Sequence, residues 1–364
     1  MYLSTTLSAY IVRQFGLWFG AIFCAMAAIV FLFDIVELTR RAAAKPEATL
    51  GVVLQLAALK LPHMVQEMFA FAVLFGAMFT FWRLTRSHEL TVMRSCGVSV
   101  WQFLLPILGI AALLGLLNVA IVDPIAAAML SRYEQIEGKY LRGRASLLAV
   151  PASGLWLRYA EAGGNTLVHA RQVSPQDMEL RDAIMFFFAG ADRFTSRIDA
   201  ARIRLEDGQW RVWDAWMSTP DHVSTFTAEQ TIPTDLTVQK IQESFASPET
   251  ISFWELPRFI EMLEAAGFSA LRHRLHWHSE LAGPLLLAAM VLIAATFSLR
   301  LTRRGGTAVL FASGLGAGFL LYVLSDVVIA LGMSSSIPVV LAAWTPAGVS
   351  TLLGVTMLLH LEDG

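Results

Sequence analysis

Charge is what this chain has least of: only 15% of its 364 residues are Asp, Glu, Lys or Arg, and 56% are apolar. Globular domains usually carry about 25% charged and about 45–50% apolar residues. With a mean hydropathy of +0.58, such a chain needs a non-aqueous solvent, which excludes an ordinary water-soluble domain. The net charge of -2 names no partner, because the charges are segregated along the chain; no nucleic-acid partner is expected. Cysteine is nearly absent. Cys24 lies in an apolar run and Cys96 in a short charged stretch, neither in the polar middle of the chain, so a disulfide framework is excluded. Catalytic signatures are missing as well. No G-x-x-x-x-G-K-[ST] loop occurs, so ATP is not bound in the P-loop manner, and His88-Glu89 lacks the second histidine of H-E-x-x-H. No internal repeat or low-complexity tract is visible.

What the chain does have is six apolar runs, at about 15–33, 65–82, 98–122, 281–299, 307–330 and 337–359. Each approaches the roughly 20 residues needed to cross a bilayer. The second is the weakest, with Glu67 near its start. The first is too long for a signal peptide, and Asp34-Ile35-Val36-Glu37 stands where small cleavage-site residues belong, so it is expected to be retained as an anchor.

Arg13, the group Arg83, Arg86 and Arg94, and the group Arg300, Arg303 and Arg304 are separated by even numbers of crossings. All should therefore face the cytoplasm, with both termini, while the segment from about 123 to 280 lies outside. The expected division is 1–125 for the first three spans, 126–277 for an outside domain with flanking helices, and 278–364 for the last three spans. Within the outside segment, "RIRLEDGQWRVWDAW" (202–216) alternates polar and apolar on both sides of Asp207-Gly208, a strong hairpin signal. Ile203 and Leu205 share one strand face, and so do Trp210 and Val212. Further strand-like runs at 155–159, 166–173, 183–188 and 223–231 argue an antiparallel sandwich or roll. A helix near Pro257, with Leu256, Phe259, Ile260 and Leu263 at helical spacing and Gly267 as its stop, leads back to the membrane.

Two charged clusters interrupt this pattern. "SHELTVMRSCGVSVWQ" (87–102) reads as a short cytoplasmic helix ended by Gly97, with Arg94 in its last turn. Ser99 and Gln102 then have capping-box spacing at the start of the third span. Such a helix either lies in the headgroups through Leu90 and Met93 or inserts into a partner. On the outside, Arg40, Arg41, Lys45 and Lys60 follow the first span, and Arg272 and Arg274 precede the fourth, where short loops should be poor in Lys and Arg. These charges either pair with Glu37, Glu47 and Glu67 or meet an anionic headgroup; Arg132 is grouped with the headgroup set. "RHRLHWH" (272–278) is the one metal-like stretch, with Glu280 its only nearby carboxylate. The interleaved arginines argue for a basic interfacial collar, and no metal site is expected.

The pattern formed by Arg86, Glu89–Arg94 and Gly97–Ser99 resembles the coupling-helix region of the lipopolysaccharide export permeases LptF and LptG. "YIVRQF" near the start and the three-plus-three arrangement of spans extend the likeness over the whole chain. "FDIVELTRR" and "LSDVVIALGMSSSIPVVLAAWTPA" are more similar to the LptG branch. The resemblance implies a polytopic α-helical membrane protein with an inserted periplasmic antiparallel β-jellyroll. It implies a non-enzymatic permease of the inner membrane that extracts lipopolysaccharide and binds no cofactor itself. ATP and Mg would be bound by the partner LptB ATPase dimer, beside the paralogous permease LptF, with LptC and LptA carrying the lipid onward. By the same likeness a coupling helix at about 84–97 uses Glu89, Arg86, His88, Arg94 and Gly97 toward the ATPase. Arg40 and Arg41 would face lipopolysaccharide phosphates, with Lys45, Arg132, Arg272 and Arg274 as further candidates. Asp34 departs from the family, some of whose members carry a lysine there. The competing expectations are a permease for another lipid or lipoprotein, or a headgroup enzyme built on His273, His276 or His278.

Overall fold

The first apolar run folds as one 38-residue helix, α1 (Thr5–Ala42), in the computed structural model of the chain. The structure describes residues 5–43, 45, 48–141, 155–161, 164–174, 179–189, 193–206, 208–220, 222–234, 236–237, 246–265, 268–299 and 307–363. At about 1.5 Å per residue α1 is roughly 57 Å long, well beyond the roughly 30 Å hydrocarbon core, so its last turns project from the apolar layer.

The second span departs from the sequence reading. Residues after the first span, expected as a loop, form α2 (Leu50–Glu67), and α3 (Phe69–Arg86) follows at a 58° bend. Met68 is the break, its N–H donating to Val65 O at 3.2 Å. Lys60, His63 and Glu67 keep α2 from reading as a span, yet Val53, Leu56 and Ala57 bury its other face. A short helix, α4 (Glu89–Ser95), precedes α5 (Val100–Leu117).

The third span also runs further than its apolar residues suggest. A π-helical turn (Asn118–Val122) joins α5 to α6 (Asp123–Tyr140). Pro124 explains part of this: it has no N–H to give Ala120 O, four residues back, which disturbs regular α-helix there. The freed carbonyl of Ala120 is taken by Trp254 Nε1 at 3.2 Å.

The remaining helices are α7 (Leu256–Ala265), α8 (Leu271–Ser298), α9 (Thr307–Met333) and α10 (Val339–Asp363). α8 is the centre of the bundle and packs against α3, α5, α9 and α10. Val291, Ala294 and Ala295 of α8 are fully buried beside Phe81, Phe103 and Ile107. At the α5–α8 crossing a Cβ on Gly115 would stand 2.5 Å from Pro284 Cα, so only glycine permits that approach. The outer faces leave Leu17, Ile29, Leu32 and Phe33 of α1 and Phe319 and Leu320 of α9 exposed, which demands lipid or a partner helix. Among the described residues, five helices are long and apolar enough to cross a membrane, or six counting α2–α3 as one bent span.

The chain divides into a helical unit (Met1–Tyr133, Glu249–Leu256, Leu271–Gly364) and a second unit (Glu134–Pro248, Pro257–Ala270). In the second, β1 (Leu155–Glu161), β2 (Gly164–Ser174), β3 (Glu179–Ala189), β4 (Arg193–Glu206), β5 (Gln209–Thr219) and β6 (His222–Pro233) form an antiparallel sheet in chain order. The hairpin lies where alternation put it. Ile203 pairs with Val212 and Leu205 with Trp210, all four buried, and Gly208 takes φ +73°. Trp210 Nε1 donates to Tyr159 Oη at 3.0 Å, satisfying the one polar atom of a fully buried indole. α7 buries Leu256, Ile260 and Leu263, as its spacing predicts. Asp207, Glu47, Gly267 and the arginines at 300, 303 and 304 lie outside the described residues.

Candidate coupling and headgroup sites

Between α3 and α5 the chain makes two controlled reversals. His88 takes a left-handed conformation, φ 60°, and opens α4. Gly97, at φ +82°, closes it: Gly97 N–H donates to Arg94 O at 3.0 Å and Val98 N–H to Met93 O at 3.1 Å. Those two bonds are the Schellman pattern, which needs a residue without a Cβ penalty at that point. Immediately afterwards Ser99 and Gln102 form the reciprocal capping box, with Ser99 N–H donating to Gln102 Oε1 at 3.1 Å. The C-terminal end of α4 is therefore fixed by hydrogen bonds that its own sequence dictates, and α5 opens on its own cap directly afterwards.

The helix is shorter than expected, since Arg83 and Arg86 belong to the last turn of α3. Its apolar side does not lie free for headgroups. Leu90 is buried in the bundle core and Met93 packs against it. Val92 is left 61% exposed on the outward side, with Arg94 and Cys96 also exposed. Glu89 does not pair with Arg86, whose guanidinium lies 5.3 Å over the Trp82 ring. Instead its carboxylate accepts the Ser87 hydroxyl at 2.8 Å and is hydrogen-bonded by Tyr10 of α1. Tyr10 stands before the first apolar run, inside YIVRQF, and has no role legible in sequence until the fold carries α1 past α4.

At the far end of α1, Arg40 and Arg41 converge on Glu37. Arg40 Nε and Nη2 donate to its two oxygens at 2.9 Å each, and Arg41 Nε donates at 3.0 Å. The pairing expectation thus holds for these two. All three side chains are well exposed, at 76%, 49% and 41% for Arg40, Arg41 and Glu37. Exposed pairs of this kind are screened by water and hold their side chains only weakly, and two cations here share one acid. Lys45 is exposed after α1, Arg132 on α6, and Arg272 and Arg274 on the first turn of α8. Only Arg272 and Arg274 share an element.

Lys60 is not a loop charge. It reaches from α2 to buried Asp34, with Nζ 2.9 Å from Oδ1, and lies 5.7 Å over the Tyr133 ring. Asp34 is therefore neutralised by a lysine from the neighbouring helix.

The histidine stretch is also different from its sequence reading. His273 is buried while Arg272 and Arg274 point outward, so the arginines do not share its face. Asp123, at the start of α6, comes together with His276 and Glu280: one ligating atom from each lies within 4.8 Å of the others. No local signal could have found Asp123, which is on the other side of the β unit in sequence. No cysteine joins this group among the described residues, so the headgroup-enzyme reading gains only part of its constellation.

The fold defines a class: a polytopic α-helical membrane protein with an antiparallel β domain inserted between two sets of spans and a rigid charged helix between the second and third. A family model for the lipopolysaccharide export system permeases LptF/LptG matches residues 9–360, and the chain belongs to that family. It is 28% identical over 310 residues to the lipopolysaccharide export system permease protein LptG of Escherichia coli strain K12, covering 83% of this chain and 84% of that protein. It is 24% identical over 357 residues to the LptG protein of Haemophilus influenzae, covering 94% and 95%.

Proposed function

We propose that this chain works as the LptG-type permease subunit of an exporter that lifts lipopolysaccharide out of the inner membrane, driven by ATP hydrolysis on a separate chain docked against α4. The observation that carries this reading is α4 itself. It is a helix ended by a Schellman stop and followed at once by the capped start of α5, seated on the core by Leu90, and presenting Glu89, Val92 and Arg94. A chain without a P-loop can use ATP only through such a contact, because domain closure in another subunit moves a lipid only if it is transmitted rigidly.

In this reading the termini and α4 face the cytoplasm and the β domain faces the periplasm. A dimeric ATPase of the LptB kind supplies ATP and Mg2+, and a paralogous LptF-type permease completes the pair against the exposed apolar face of α1. The β domain hands lipid to LptC- and LptA-type acceptors. Arg40 and Arg41, with Lys45, Arg132, Arg272 and Arg274, attract headgroup phosphates, since basic side chains beside spans suit anionic lipids. The family match favours this cargo over another lipid or a lipoprotein.

Purification of the tagged chain from its own membranes in mild detergent tests the reading. The expected result is stoichiometric co-elution of a nucleotide-binding chain and a second permease. A chain that elutes alone from membranes containing both would overturn it.

A further inference from the structure

We infer that Asp123, His276 and Glu280 form a binding site for a divalent transition-metal ion of the zinc type, independent of the transport reading. Three observations carry it. The ligating atoms of the three residues lie within 4.8 Å of one another, close enough for one ion to bridge them with small side-chain adjustments. His276 Nε2 is fully enclosed and has no hydrogen-bond partner among the described residues. Asp123 is buried and His276 and Glu280 are partly buried, and a bound cation would offset the cost of holding two carboxylates together there.

The surroundings fix the ligands as a metal site requires. Phe253 N–H donates to Asp123 Oδ2 at 2.8 Å, orienting that carboxylate and leaving Oδ1 for a cation. Phe253 in turn stacks on Trp277, ring centroids 6.2 Å apart. His276 and Glu280 are four residues apart on α8, so they share one helix face. Arg272 stands one turn before His276 on that face but is exposed, and Arg274 is on another face. A nitrogen and two oxygens from protein, with a further position for water, match Zn2+ chemistry better than the all-oxygen cages of Ca2+ or Mg2+. The site ties the start of α6, where the chain leaves the helical unit, to α8, where it has returned. A bound ion would clamp those two helices at their roots.

The experiment uses the full chain in detergent, without a polyhistidine tag, stripped with EDTA and then titrated with Co2+ and Zn2+. Wild type is expected to take up about one equivalent of Co2+ with visible d–d absorption that Zn2+ abolishes. His276→Ala and Glu280→Gln should each lose that absorption, while His222→Ala, an exposed histidine on β6, keeps it. Failure of wild type to bind either ion stoichiometrically would overturn the site, as would undiminished binding in both variants or loss in His222→Ala. Should the variants not fold, Cu2+-loaded wild type decides by electron spin echo. Coupling to an imidazole nitrogen is expected, and its absence contradicts the proposal.

Discussion

Glu89→Lys is expected to release the ATPase from the purified complex and to stop lipid export, with the chain still inserted in the membrane. If Glu89 sits in a partner's groove against a basic residue, its removal leaves a buried charge unpaired, at a cost of about 2–5 kcal/mol. At 1.4 kcal/mol per decade that is a roughly 30- to 4,000-fold loss of affinity. A purely local role predicts far less. The i, i+3 pair with Arg86 would have been worth about 0.2–0.5 kcal/mol, and it does not form, because Arg86 stacks on Trp82. The bonds Glu89 does make, to Ser87 and Tyr10, allow a separate check. Tyr10→Phe removes the intramolecular bond without touching the carboxylate, so it should retain the ATPase while Glu89→Lys does not. Normal retention and normal export in Glu89→Lys would mean that α4 is only a structural link.

The second large effect is expected at Asp34 and Lys60. Asp34 is almost fully buried and Lys60 about one-quarter exposed, so Asp34→Ala strands a half-buried ammonium. Breaking a buried pair from one side costs about 3–5 kcal/mol, whereas replacing both partners with apolar residues is often neutral. Asp34→Ala should therefore lower stability in mixed-micelle unfolding by about that amount, and the double replacement Asp34→Leu/Lys60→Met should recover most of it. A loss below about 1 kcal/mol for Asp34→Ala would place the pair with exposed ones. Export by the recovered double variant would then report whether the Lys60 cation matters to the cargo, separately from stability.

These two sites show where sequence is legible and where it is not. The Asp207-Gly208 hairpin, the Gly97 stop and the Ser99–Gln102 box were readable because each is decided within a few residues, by alternation, by φ > 0 or by capping geometry. The inward positions of Ile203, Leu205, Trp210 and Val212 followed from strand alternation alone. α2 was missed because a length-and-hydropathy criterion discards a helix carrying Lys60, His63 and Glu67, although its buried face is ordinary. The Asp34–Lys60 pair needed the packing of α1 on α2, and the grouping of Asp123 with His276 needed the chain to leave the bundle and return. Pairings of that range leave no local trace. Only a buried acid that looks out of place, such as Asp34, hints that a partner must exist.

The most direct measurement is ATP-dependent transfer of lipopolysaccharide from vesicles containing the assembled complex to a soluble periplasmic acceptor. Transfer should require ATP and this chain. It should fall sharply in Glu89→Lys, and it should fall in the double variant Arg40→Glu/Arg41→Glu while that complex still assembles and hydrolyses ATP. Undiminished transfer from vesicles whose complex lacks this chain, or transfer indifferent to both sets of substitutions, would contradict the account.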